Sequence, residues 1–215
     1  MLNLKPFLIF ALYFFPLYGV LIIPWPGAKG IYARYFQAMG SAILGSNGGS
    51  RILIFHPLND ANHIWPQNFD TAIDLANRNL TDANGTPKGF MLMVDAWQMG
   101  WTPTAFVLAL VCATPVSWRR RAWGALWGLL WIHVFILLTV DIFIWNESTR
   151  ILLVTLSPFW KTMANYVEKL ALDPAGPSFF AAAFIWIMVT FQKKDFVDWN
   201  VNIIRQTHCK LSNIS

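Results

Sequence analysis

Charge is scarce in this chain. Of 215 residues, 13% are Asp, Glu, Lys or Arg, about half of what a soluble globular domain carries. A chain so poor in charge lacks the polar surface that keeps a globular protein in water. There are two cysteines, Cys112 and Cys209, one inside an apolar run and one in the tail. They neither pair as a disulfide framework nor match a metal-ligand spacing. No glycine-rich phosphate loop, serine elbow or paired-carboxylate motif is present. The net charge is +5, but no basic stripe with interleaved aromatics stands in a polar segment, so nucleic acid is not an expected partner. No internal repeat of the kind that transporters use is visible.

Apolar residues are abundant instead: 56% of the chain, with 12 Trp and 17 Phe, and a mean hydropathy of +0.45. Indole rings favour the membrane–water boundary. The expected class is an α-helical membrane protein of about four spans, with a small extracytoplasmic α+β domain between the first two. Residues 1–25 form the first span, apolar from Phe7 to Ile23. The run ends in Ile23-Pro24-Trp25-Pro26 without a small-x-small cleavage site, so it reads as a retained span, kinked or thinned at Pro16, rather than a cleaved signal.

Residues 26–100 are the one sizeable polar region. Ile31, Tyr35, Met39 and Ile43 lie four apart, which predicts an amphipathic helix resting on the membrane or on its own domain. Strands are expected at 51–55, 71–76 and 89–94, from β-branched or alternating residues and the Asn84-Gly85-Thr86-Pro87 turn signal. They predict a small antiparallel sheet that must lean on helices or on a partner.

Residues 101–145 hold two further spans, joined by a tight basic turn at Arg119, Arg120 and Arg121. Thr102-Pro103 reads as a helix start, a capping residue followed by proline. Residues 146–176 are expected outside and partly helical. Residues 177–192 form a short fourth span, and 193–215 a cytoplasmic tail. Orientation follows from the cations. Eight lie in the short segments around Lys5, the arginine triplet and the tail; eight more spread over about 105 outer residues and are balanced by acids. Short loops dominate this rule, so both termini are expected in the cytoplasm and the membrane is expected to be a bacterial inner (plasma) membrane.

The intramembrane polar candidates are His133 and Asp141, functional candidates by default inside a span. They lie eight apart on one helix and cannot touch. The expectation is that Asp141 sits at the outer boundary and His133 bonds a neighbouring helix. Cys112, with no base at helical spacing, is expected to be a packed, inert thiol. His56, Asp60 and His63 are read as a solvated loop rather than a metal site. Asn79, Asn84 and Asn146 begin glycosylation acceptor patterns.

The stretch ALVCATPVSWRRRAWGALWGLLWIHVFILL, residues 109–138, resembles the exosortase/archaeosortase family. In those membrane proteins a helix ends in a Pro-x-x-Trp-Arg-like turn and the next helix is rich in Gly, Leu and Ala. The resemblance implies a transpeptidase that processes sorted surface proteins through a Cys, an Arg and a His. The place of the Cys is Gln98-Met99-Gly100-Trp101, which holds none. The place of the Arg is 139–146, which holds none, and Arg150 is displaced from it. No His lies between His133 and His208. The resemblance therefore implies a relative without the catalytic set. No catalytic residue, cofactor or metal is assigned. The expected function is a non-enzymatic accessory or assembly subunit of a membrane complex, linked to surface-protein sorting, with the lipid bilayer and a membrane-protein partner or a second copy as its contacts. The alternative is an exosortase-like transpeptidase or protease with a rearranged site.

Overall fold

A computed structural model describes residues 5–46, 51–58, 69–81, 85–150, 157, 159, 162 and 177–191. Five helices and one sheet are described. Helix α1 spans Lys5–Ile22 and α2 Ala28–Ile43. Strands β1 (Arg51–Pro57), β2 (Thr71–Thr81) and β3 (Pro87–Val94) follow. A π-helical turn, Trp97–Trp101, leads into α3, Thr102–Ala113. Helix α4 is Trp118–Arg150 and α5 Pro177–Thr190.

The strands form an antiparallel sheet in the order β1-β2-β3. Its register sets Leu53 against Leu75, Phe55 against Ile73, and Ile73 against Leu92. Because side chains alternate across a strand, these residues share one face, and all five are buried. Helix α2 covers that face with Tyr32, Ala33, Phe36 and Gly40. Gly40 lets the helix settle: a Cβ there would lie 2.6 Å from the Phe55 ring.

The apolar stripe expected to define α2 is not the stripe that meets the sheet. Ile31, Tyr35 and Ile43 are exposed and Met39 is partly buried. Small residues at 33 and 40 explain the rotation, since they admit the sheet where bulky Ile31 and Ile43 would hold it off. The entry to α2 needs Gly27, whose φ of 81° is the left-handed conformation that favours glycine.

Helix α3 is the hub of the helical part. Eight of its twelve residues are buried. Ala109 and Ala113 face α1, where Phe14 packs on them. Val107 and Val111 face α4, over Gly124 and Gly128. Gly124 and Gly128 make a small-xxx-small face of the kind that lets apolar helices approach closely. Pro16 lies within α1, which continues through it.

Lengths differ from the expectation. Among the described residues one helix, Trp118–Thr149, is long and apolar enough to cross a membrane; Phe7–Ile22 and Ser178–Thr190 are shorter apolar helices. Helix α4 is about 50 Å long at the helical rise, well past a 30 Å hydrocarbon layer. From its middle onward it buries Ile132, Ile136, Val140 and Ile144 in the same core cluster as the sheet and α2.

Candidate functional site

Two places collect polar groups, one at each end of the helical part. At the sheet end, the helix leading into α3 starts earlier than Thr102. Asp95 Oδ1 accepts hydrogen bonds from the Trp97 and Gln98 backbone N–H groups at 3.0 and 3.2 Å, so Asp95 is the cap. The π turn then resolves a conflict. Pro103 has no N–H and its ring would clash with the carbonyl four residues back. Widening the helix just before it moves that carbonyl away, and the Thr102 N–H bonds Trp97 O instead.

A polar chain knits this turn to the sheet. Gln37 Nε2 donates to Thr71 Oγ1 at 3.1 Å, Thr71 donates to Asp70 Oδ1 at 3.0 Å, and the Ala96 N–H donates to the same oxygen at 3.0 Å. Lys29 Nζ lies 3.8 Å from Asp95. Asp70 Oδ2 is buried without a partner among the described residues. Burial is the main cause that raises the Asp70 carboxyl above its ordinary pKa, offset in part by the bonds from Ala96 and Thr71. The folded protein thus binds this proton more tightly than the unfolded chain. Stability contributed by Asp70 rises as pH falls from the raised value towards the ordinary carboxylate range, and is lost above it. Asp70→Asn keeps the Oδ1 acceptor and removes the charge. It is expected to match or exceed the parent's thermal stability at neutral pH and to abolish this acid-side gain, as read by unfolding between about pH 4 and 7. A parent whose stability only falls on acidification through that window contradicts this.

Beside the chain lies a cleft of about 560 Å³. Asp95, Gln98, Thr102, Thr139 and Ser178 give it polar groups, and Met93, Phe143 and Phe179 give it apolar walls. Both segments that the family resemblance singles out, 98–101 and 139–146, reach this cleft through Gln98, Met99, Thr139 and Phe143. Neither histidine nor cysteine is among its described lining residues, and Asp95 is engaged as a cap.

The arginine triplet sits at the opposite end. It lies in the first turn of α4 rather than in a loop. Arg121 Nη2 donates to Thr114 O at 3.0 Å and Arg120 Nη2 to Thr190 O at 3.1 Å. These carbonyls belong to the C-terminal ends of α3 and α5, where the helix dipole is negative. Trp186 joins the same knot through Nε1 to Thr114 Oγ1 at 2.9 Å. The arginines therefore clamp three helix ends, a role their run in the sequence does not disclose. Arg119 is exposed.

The remaining candidates are scattered. His133 Nδ1 donates to Leu129 O of its own helix at 2.7 Å, and its ring meets the Tyr35 ring edge-on at 5.6 Å. Its contact with another helix is thus an aromatic one with α2, not the hydrogen bond expected. Asp141 is partly exposed, two turns further along α4. Cys112 is exposed rather than packed, because the alanine and valine faces of α3 take the neighbouring helices. His56 Nε2 lies 2.9 Å from Asp74 Oδ2 on the outer face of the sheet, while Asp60 and His63 lie outside the described residues. Asn146 is 7% exposed within α4, so that acceptor pattern is closed to a glycan. Asn84 and Cys209 lie outside the described residues. Comparison with protein families, curated proteins and solved structures finds no match.

Proposed function

We propose that this chain is a non-enzymatic polytopic membrane protein of about four spans, an accessory or assembly subunit of a membrane complex. The observation that carries the reading is an inside-out distribution of apolar groups. Helix α3 is enclosed by α1, α4 and α5, yet these three turn large apolar side chains outward. Leu12 is 71% exposed, Leu126 58% and Phe184 63%, and Phe7, Leu8, Trp127, Leu130 and Met188 extend the belt. Soluble monomers rarely show contiguous apolar patches beyond a few hundred Å². Lipid is the solvent that suits this belt, and local thinning accommodates the short α1, α3 and α5.

The arginine clamp then lies at the cytoplasmic face of an inner (plasma) membrane, with both termini inside, and the sheet lies outside. The cleft beside Asp95 and the edge strand β3 form the contact surface for a membrane-protein partner or a second copy. No strand pairs with the outer edge of β3 among the described residues, and such edges recruit chains. The family resemblance links the complex to surface-protein sorting.

A second reading, a membrane transpeptidase or protease with a rearranged site, is favoured by the convergence of 98–101 and 139–146 on one cleft. The two readings part on one experiment. Thr139→Val and Ser178→Ala in the cleft, like Cys112→Ser and His133→Ala elsewhere, are expected to leave processing of co-expressed surface proteins unchanged, while the detergent-solubilised chain retains a partner or dimerises. Loss of processing in any of these variants overturns the non-enzymatic reading. Release of the chain from membranes by alkaline carbonate, or labelling of a tag beside Arg120 from outside intact cells, overturns the topology.

A further inference from the structure

We infer that the pocket at the arginine end holds one anionic phospholipid. The inference rests on the membrane reading above. The pocket has a volume of about 660 Å³, and its walls include Phe7, Phe10, Trp186 and Phe191, with Thr114, Ser117 and Arg120 as polar members. Apolar walls beside an arginine that also donates to Thr190 O match an acyl chain joined to a phosphate. Charge complementarity selects the headgroup. Helices α1, α3 and α5 and residues 114–140 contain three arginines and Lys5, and no Asp or Glu. The segments read as cytoplasmic hold eight cations against two acids, Asp195 and Asp198. The N-terminus of α4, with no acid in its first turn, adds to the positive field. Arg120 is the residue that joins field and pocket, because it lines the cavity while Arg119 stands exposed outside it.

The bound lipid would lie between α1 and α5, whose ring contact here is Phe10 on Trp186 at 5.9 Å. It would thereby bridge two helices that otherwise meet mainly through α3. Dispersed basic charge would attract anionic lipid as well, but without dependence on the cavity, and this difference makes the site testable.

The full chain, purified in mild detergent, is titrated with phosphatidylglycerol or phosphatidylcholine and retained lipid is counted by native mass spectrometry. One phosphatidylglycerol per chain is expected to be retained at about tenfold lower concentration than phosphatidylcholine. Arg120→Gln is expected to erase the preference. Val116→Trp, which fills the pocket and leaves every arginine in place, is expected to erase it as well, and Arg119→Gln to keep it. Equal retention of the two lipids overturns the site. So does an Arg119→Gln loss as large as that of Arg120→Gln, or displacement of the lipid by millimolar inorganic phosphate. A dimer that Val116→Trp dissolves without changing lipid retention assigns the pocket to a second copy and overturns it too. Carbonate release of the chain overturns the membrane reading together with the site, whereas a membrane-retained chain without lipid preference overturns the site alone.

Discussion

Replacing Phe36 by alanine is expected to lower stability by about 3–5 kcal/mol, the usual cost of deleting a fully buried aromatic ring. Phe36 is 1% exposed and belongs to the cluster that joins α2 to Leu53, Phe55, Ile73 and Leu75 of the sheet. A small sheet needs its hydrophobic face covered or packed on a helix, and α2 supplies that cover here. The cavity cannot close easily, because Gly40 already lies against the Phe55 ring. The control is Ile31→Ala on the same helix. Ile31 is 71% exposed, and its truncation is expected to change stability by less than about 0.5 kcal/mol. Thermal unfolding of the detergent-solubilised variants, with hydrogen exchange over residues 51–57 and 71–77, measures both. Equal losses at the two positions would show that the helix is seated on the wrong stripe.

Gly128→Leu is expected to separate α3 from α4, at about 3 kcal/mol or more, the upper part of the range for overpacking. A Cβ at Gly128 would lie 2.9 Å from Val107 Cγ1, and the remaining atoms of leucine would have to occupy the α3 backbone's side of the contact. Gly124 is the internal comparison. A Cβ there meets Val111 Cγ1 at 3.4 Å, an ordinary contact, so Gly124→Ala is expected to be nearly neutral. Because α3 also carries α1 and α5, the damage at Gly128 should spread. The Arg120 bond to Thr190 and the Arg121 bond to Thr114 both depend on α4 lying close to α3 and α5. Reduced thermal stability together with exposure of Cys112-adjacent helix backbone to exchange is the expected signature. A Gly128→Leu protein as stable as its parent would remove close glycine packing as the basis of this bundle.

Much of the architecture is legible in local pattern. Alternation and turn residues mark the strands at 51–55, 71–76 and 89–94, which lie within β1, β2 and β3. Uniform apolar runs mark α1, α4 and α5. These features depend on residues a few positions apart, so a linear reading captures them. The candidate site was much less legible. No local pattern in the sequence marks Asp95, because its capping of Trp97 and Gln98 depends on where β3 ends and how Pro103 is accommodated. Gly124 and Gly128 lie in an apolar run without a pattern of their own, and only their distance to Val111 and Val107 makes them a contact surface. Asn146 matched an acceptor pattern, and burial removes it from solvent.

What the residues decide by themselves is which segments are apolar, which alternate, and where positive charge gathers, because hydropathy, backbone preference and charge belong to each side chain wherever it lies. What the tertiary structure alone decides is which side of each element faces its neighbour. Small residues at 33, 40, 124 and 128 permit close approach there, and dispersion and steric forces change sharply over fractions of an ångström. That is why α2 turns Phe36 inward and Ile31 outward, and why a run of arginines becomes a clamp on the ends of two other helices.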